Sequence, residues 1–209
     1  MISPHRHFSW NKKRLAKYGV FNAGLVAFRN NEQGLAALKY WADSCLEWCL
    51  DRPEDGKYAD QKYLENFSKV ASGVVVDDRK GVNLAPWNLG FSKLTLDANE
   101  KLCVDGEPVY YFHAQGIKRT KSAWFLGHLP YFSLASSSAK KLIYKPYLAA
   151  LLRWEGENLA AQSSSARSFK RTGVLSLAIF GKTLQFLLGQ VIFNSQLRSL
   201  KSDPNKRPN

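Results

Sequence analysis

The sequence predicts an α/β fold, a mixed sheet with flanking helices that is followed by a basic, helical C-terminal appendage. Three observations predict it. Helical and strand-like patterns alternate over the first 120 residues. Hydrophobic residues make up 45% of the 209 residues, which is enough for one substantial core. Beyond residue 120, Ser/Ala-rich segments and positive charge replace the alternation, so we place a domain boundary there.

The first two predicted elements are a buried strand and an amphipathic helix. Residues 20–28 are apolar on both faces, as in a strand of a sheet that helices cover. Gly24 interrupts this strand and marks a bulge or a close approach to the backbone. Residues 32–50 repeat apolar side chains every three or four positions, which predicts a helix that ends before Pro53.

Shorter elements complete the first 120 residues. They are a helix over 59–67, a strand over 73–76, an irregular segment over 83–88 and a half-exposed strand over 92–97. Pro86 argues against a central strand in the irregular segment. Residues 101–104 and 108–113 flank Asp105-Gly106, which predicts a β-hairpin.

Three segments follow the predicted domain. A basic Ser/Ala-rich linker, which contains one short helix, covers residues 121–172. An amphipathic helix over 173–201 and a disordered tail over 202–209 follow it. The amphipathic helix has three interpretations. A membrane-spanning helix is disfavoured, because it would place the polar side chains of Lys182, Gln185 and Gln190 in the bilayer. A basic-flanked helix in the membrane interface fits better, and packing on the parent domain or on a partner stays open.

The positive charge is concentrated at one end of the chain. Of the net charge of +13, residues 1–117 carry 15 Lys and Arg against 14 Asp and Glu, and residues 118–209 carry 15 against 3. This predicts contact with an anionic surface. A membrane is favoured over nucleic acid, because linkers and an apolar helix separate the basic residues. With three cysteines and no signal-like apolar run at the N-terminus, we expect a cytoplasmic protein peripheral to the inner membrane.

Two groups of polar residues bear on chemistry. Asp60-Gln61 stands near a predicted helix N-terminus, where capping is the ordinary role. His113 ends an apolar strand and precedes Gly116 and Lys118. An imidazole can ligate Mn²⁺, a glycine permits close approach and an ammonium neutralises phosphate, so these parts suit a metal–diphosphate. A lone histidine at a strand end is more often structural.

Four motifs, taken in order, resemble the second half of nucleotide-sugar-dependent glycosyltransferases of the glycogenin and lipopolysaccharide galactosyltransferase kind. The motifs are Asn22-Ala23-Gly24, Asp60-Gln61, Trp87-Asn88 and His113-x-x-Gly116-x-Lys118. The resemblance covers residues 1 to about 120. It implies a partial GT-A-like fold of the nucleotide-diphospho-sugar transferase type. It also implies transfer of a sugar from a nucleotide-diphospho-sugar donor to a glycan or lipid-linked acceptor, as in lipopolysaccharide biosynthesis.

The resemblance implies a role for each matching residue. Asn22, Ala23 and Gly24 would line the sugar pocket. Asp60 would bind donor-sugar hydroxyls and Gln61 would lie near the anomeric carbon, as the catalytic pair. Asn88 would bind substrate, and Gly116 and Lys118 would hold the departing diphosphate, with Lys121 in reserve. His113 would ligate Mn²⁺ or Mg²⁺, which stabilises the charge on the leaving group.

The family's donor-binding half, with its Asp-x-Asp metal motif, is expected before Ser3 and is absent from the sequence. Two hypotheses follow. The chain is the acceptor-side half of a metal-dependent glycosyltransferase, with another chain supplying the missing half. Alternatively, it is a non-catalytic truncated paralogue or accessory subunit that binds a membrane or a partner chain. His5 and His7 are either part of a solvated terminus or residues of the active-site cleft, and the spacing of Cys45 and Cys49 favours core packing over zinc.

Overall fold

A computed structural model of the chain describes residues 1–159 and 175–197. It confirms the mixed α/β class, with small sheets and helices. The chain divides into two compact units, Met1–His113 and Ala114–Asn209. The boundary expected from the sequence, near residue 120, falls a few residues inside the second unit.

One hydrophobic cluster of the first unit forms where helix α2 (Glu32–Glu47) meets helix α3 (Phe67–Val70). Its buried members are Ile2, Ala37, Leu64, Phe67 and Ala71. The Asn31 side chain accepts a hydrogen bond from the Gly34 N–H and begins α2 as an N-cap. The predicted apolar face is wrong in part, because the helix packs through Ala37, Tyr40 and Trp41 while Leu35 and Leu38 are exposed.

The first strand is shorter than predicted. Strand β2 (Phe21–Asn22) pairs antiparallel with β1 (Ser3–Pro4) and stops there, instead of continuing to residue 28. The reason lies in the Asn22 side chain, whose Oδ1 accepts a hydrogen bond from the Gly24 N–H at 2.8 Å. This side-chain bond to the backbone two residues on replaces the strand with a turn. The turn places Gly24 beside the end of β2.

The predicted hairpin is confirmed. Strands β3 (Leu94–Leu96), β4 (Leu102–Val104) and β5 (Glu107–Pro108) form an antiparallel sheet in that order. Asp105 and Gly106 form the two-residue loop, and both have positive φ, at 49° and 87°. This is the geometry of a type I′ turn, which Asp-Gly favours. After β5 the chain runs on to a bridge between Phe112 and Leu84.

The remaining elements of the first unit are helical or irregular. Helix α1 (Ser9–Leu15) precedes β2, a 3₁₀ turn (Lys62–Asn66) leads into α3, and Val76 makes only an isolated bridge with Ile2. The segment over 83–88, predicted to be irregular, contains helix α4 (Pro86–Leu89). Pro86 starts that helix as its first residue, and the Asn88 Oδ1 accepts a hydrogen bond from the Ala85 N–H at 2.9 Å.

The second unit differs from the predicted linker. Strands β6 (Lys118–Arg119), β7 (Ala123–Phe125) and β8 (Val191–Phe193) form an antiparallel sheet. Helices α5 (Ser137–Ala139) and α6 (Lys145–Leu159) are joined by a π-helical segment (Lys140–Tyr144). The serine-rich run begins this helix, because the Ser136 hydroxyl accepts a hydrogen bond from the Ala139 N–H. Linker residues 160–172 lie outside the described residues.

The predicted C-terminal helix ends early. Helix α7 (Leu175–Leu187) is followed by Gly189 with a φ of +64°, and then by β8. The buried amide of Gln190 holds the chain there, since its Oε1 accepts a hydrogen bond from the Ala135 N–H at 2.6 Å. No helix in the described residues is long and apolar enough to cross a membrane. The tail predicted over 202–209 lies outside the described residues.

Candidate functional site

The Asn22 side chain is the centre of a buried polar network in the first unit. Its Oδ1 accepts hydrogen bonds from the Gly24 N–H, the Asn83 amide at 3.1 Å and the His113 Nδ1 at 3.1 Å. Its Nδ2 donates to Gln61 Oε1 at 3.1 Å. The structure therefore brings together Asn22, Gly24, Gln61 and His113, four residues that the sequence predicted for one site. Only 6% of Asn22 is exposed, and its bonds to Asn83 and Gln61 are buried, while those to Gly24 and His113 are partly buried.

The network fixes the tautomers of two histidines. The amide orientation of Asn22 is set by the Gly24 N–H, which can only donate, so the Asn22 oxygen faces His113. The Nδ1 of His113 must then carry a proton. The His5 Nδ1 faces the Val20 carbonyl at 3.2 Å and its Nε2 faces the Asn22 Nδ2 at 3.3 Å. His5 is therefore neutral, with its proton on Nδ1.

Gly24 is needed because His113 packs directly over its α-carbon. A β-carbon at this position would lie 2.1 Å from His113 Nδ1 and 2.5 Å from Asn22 Oδ1. Both distances are far below van der Waals contact. The glycine that interrupts the predicted strand therefore marks the close approach of an imidazole, one of the two meanings that the sequence assigned to it.

Sequence reasoning missed Asn83 and Ser3, which extend the network through hydrogen bonds of the Asn83 amide. Asn83 is fully buried and its Nδ2 also donates to the Ser3 hydroxyl at 3.0 Å. Its φ of +54° is in the left-handed region, which asparagine tolerates. Asn88 joins through the backbone, since its Nδ2 donates to the carbonyls of His5 and Asn83. A left-handed asparagine has no distinctive spacing, so no sequence signal identifies it.

An aromatic wall covers one side of the network. The rings of His5 and His7 stack at 4.5 Å, and the buried Trp87 ring meets His5 and His113 edge-on at 5.4 and 5.2 Å. Burial lowers the pKa of His5 to about 4, against the raising effect of its hydrogen bond to Val20. Burial, and then the charge of His5, lowers the pKa of His7 to about 3. The two rings are therefore packed within the fold, which does not fit the interpretation of a solvated terminus.

These depressed pKa values predict loss of stability in mild acid. In the unfolded chain, the two histidines take up protons below pH 6.5. In the folded chain, they remain unprotonated down to about pH 4. The free energy of unfolding should thus hold above pH 6.5 and fall towards pH 4, by up to about 1.4 kcal/mol per pH unit for each histidine. Urea denaturation of wild type and His7→Phe between pH 7 and 5 measures it. The variant keeps a stacking ring and should show a shallower slope, and parallel curves would contradict the assignment.

The other predicted residues lie apart from the centre of the network. The backbone carbonyl of Asp60 accepts a hydrogen bond from Trp41 Nε1 at 2.6 Å. Asp60 is half-buried, and its side-chain carboxylate forms no ion pair within the described residues. Ala23 packs against the hydrophobic cluster between α2 and α3. Gly116 and the exposed Lys118 belong to the second unit, where Gly116 has a φ of +73° and Lys118 lies in β6.

The described residues do not fit a metal ion. Among residues 1–159 and 175–197, no group of three His, Cys, Asp or Glu side chains lies close enough together to hold one. His113 offers at most one ring nitrogen, and the amide ligands around Asn22 are already engaged with one another. A resident Mn²⁺ or Mg²⁺ would need carboxylates from outside the described residues, as the resemblance implies.

Comparisons with known proteins give two relatives from Bacillus subtilis (strain 168). The chain is 31% identical to the uncharacterized protein YfnF over 100 residues, which is 48% of this chain and 33% of YfnF. It is 28% identical to the uncharacterized protein YfnD over 179 residues, which is 80% of this chain and 54% of YfnD. The chain thus spans about a third and about half of these relatives. No protein-family model and no solved structure matches it.

Proposed function

We propose that the first unit is the sugar-binding half of a nucleotide-sugar-dependent glycosyltransferase with a GT-A-like fold. The observation that supports the proposal is the convergence of Asn22, Gly24, Gln61 and His113, which are far apart in sequence, on one buried polar network. Sugar hydroxyls are recognised by a few well-placed polar groups beside an aromatic wall. The network beside Trp87 has this composition.

The proposal gives the residues different tasks. Asn22 is a positioning residue, because its amide is fully used in holding Gly24, Gln61 and His113. The groups assigned to the substrate are the Asp60 carboxylate, which accepts hydrogen bonds from sugar hydroxyls, and the His113 imidazole. Gln61 uses Oε1 for Asn22 and Nε2 for the Tyr18 carbonyl at 2.7 Å, and each end retains one further hydrogen-bonding site.

In the transfer, the bond between the sugar carbon and the diphosphate oxygen breaks with its electron pair on that oxygen, and the carbon bonds to an acceptor oxygen whose proton passes to solvent. Negative charge develops on the departing diphosphate, where a cationic side chain stabilises it. Binding energy at the sugar serves to hold the reacting carbon in line with the acceptor.

A lipid-linked acceptor and an anionic membrane surface remain part of the proposal. The rings of Phe8 and Trp10 stack at 4.7 Å, and Phe91 meets both edge-on. Trp10 is 56% exposed and Phe91 69% exposed, and the exposed Lys12 and Lys13 follow in α1. Exposed aromatic rings with lysines beside them suit a membrane interface. A cytoplasmic protein peripheral to the inner membrane follows from this proposal.

The experiment is a turnover assay with matched histidine variants. Purified protein is incubated with a panel of nucleotide-diphospho-sugars and Mn²⁺, and release of the nucleotide diphosphate is measured. We expect His113→Asn and Asp60→Asn each to lower the rate by about 100-fold or more. His128→Asn is the control, because His128 is buried in the second unit, where it bonds Ser133 and Tyr144.

Equal rates for wild type, His113→Asn and Asp60→Asn would contradict the site assignment. If no donor is turned over, the same panel on full-length YfnD tests whether the longer relative is active. Inactivity of both would favour the second hypothesis, a non-catalytic paralogue or accessory subunit that binds a membrane or a partner chain.

A further inference from the structure

The second unit contains a cavity with three lysines in its lining. Its volume is about 330 Å³. The residues that line it are Ser137, Lys140, Lys141, Lys145, Gly189, Val191, Ile192 and Gln196. No acidic residue is among them, so the part of the lining that the structure describes has three positive charges and no carboxylate. Three like charges close together attract an anion from solution.

The π-helical segment is the reason that the three lysines share this cavity. In an α-helix, Lys140 and Lys145 would project about 140° apart, because each residue turns the helix by about 100°. Here the Lys145 N–H donates to the Lys140 carbonyl, five residues back, which widens the turn and brings these two positions near one face. Lys141 and Lys145, four residues apart, share that face in either kind of helix.

Among residues 1–159 and 175–197, the ammonium groups of these lysines have no carboxylate as an ion-pair partner. No ion pair within the described residues includes Lys140, Lys141 or Lys145, although Arg119 and Glu155 of the same unit pair with each other. Lys140 Nζ donates to the Gly189 carbonyl at 3.2 Å, which uses one of its three donors. Lys140 and Lys145 are half-buried, so water compensates their mutual repulsion less well than at an open surface.

Polar groups beside the lysines add hydrogen-bond donors without adding negative charge. The Ser137 hydroxyl is one. Gln196 Oε1 accepts a hydrogen bond from the Phe193 N–H at 2.8 Å, so its amide is held in place with an NH₂ group that can donate. Ammonium groups with neutral donors around a concave site are the chemistry that binds a phosphate group with two or three charges.

We propose that this cavity binds a phosphate group, either a phosphomonoester or the end of a diphosphate, through Lys140, Lys141 and Lys145. The site lies wholly in the second unit and does not depend on the sugar-binding proposal for the first. The phosphate can belong to a lipid headgroup or to a soluble compound, and both sources present the same charged oxygens to the lysines.

The first arm of the test uses inorganic pyrophosphate and isothermal titration calorimetry on the 209-residue protein. We expect Lys141→Ala/Lys145→Ala to weaken binding at least 10-fold relative to wild type. The matched control is Lys93→Ala/Lys101→Ala, which removes the same charge from exposed positions next to strands β3 and β4 of the first unit. Thermal unfolding of each variant checks folding, and Lys141→Gln, at an exposed position, serves if the double variant does not fold.

The second arm uses phosphatidylcholine vesicles with 20 mol% phosphatidic acid, whose headgroup is a phosphomonoester, in a flotation assay. Loss of flotation in the cavity variant but not in the control identifies a lipid source. Weaker pyrophosphate binding with unchanged flotation identifies a soluble one, and either result supports the site. The proposal is overturned if wild type binds neither probe, or if the control variant loses as much binding as the cavity variant.

Discussion

Replacing Asn22 by alanine is expected to lower the free energy of unfolding by about 3 kcal/mol. The amide connects five buried or half-buried groups, so its removal takes one hydrogen-bond partner from each of the Asn83 amide, the His113 Nδ1–H and the Gln61 carbonyl. Each unsatisfied buried group costs about 1–3 kcal/mol, and the costs are less than additive when partners rearrange. Urea denaturation at pH 7 measures the change.

The control for this variant is Asn99→Ala, in an exposed turn of the same unit. Its effect should stay within about 0.5 kcal/mol, as for most surface substitutions. A loss of the same small size for Asn22→Ala would mean that the network does not stabilise the fold as described.

Replacing Gly24 by alanine is expected to displace the His113 imidazole. The new methyl group would lie 2.1 Å from Nδ1, so the ring must move and its bond to Asn22 Oδ1 must break. Crowding of this kind costs about 1–3 kcal/mol of stability. A displacement of about 1 Å at a catalytic group can cost about 100-fold in rate, so turnover should fall by that order.

Nuclear magnetic resonance of the histidine rings follows the displacement directly. In the wild type, the His113 Nδ1 should show the shift of a protonated nitrogen and Nε2 that of an unprotonated one, and Gly24→Ala should abolish this pattern. The control is Gly181→Ala in helix α7, where no atom lies within 4 Å of the added β-carbon. It should leave His113 unchanged. An unaltered His113 spectrum in Gly24→Ala would contradict the close approach.

The sequence marked four of the residues that the structure brings together in one network. Ordered motifs marked Asn22, Gly24, Gln61 and His113, and these are the residues that the network joins. The motifs did not reveal that the side-chain amide of Asn22 forms its hydrogen bonds with other residues of the protein. The direct bond of Asn22 to Asn83 crosses 61 positions, and no local pattern encodes such a contact.

The fold was predictable where one short-range interaction decides the conformation. Asp105-Gly106 specifies its own turn, and the hairpin follows. Composition was misleading in the second unit. The serines near residue 136 suggested a linker, yet Ser136 caps a helix whose Tyr144 and Leu148 are fully buried. The C-terminal helix was predicted to be longer than it is, because apolar periodicity does not reveal the hydrogen bonds between Gln190 and Ala135, 55 positions away.

The most direct test of the sugar-binding site is an amide chemical-shift titration of the protein with nucleotide-diphospho-sugars. The account predicts that the largest shifts fall on Gly24, Asp60 and His113, and that His113→Asn removes them while His128→Asn does not. Shifts confined to residues outside the Asn22 network, or no shifts for any donor at millimolar concentration, would contradict it.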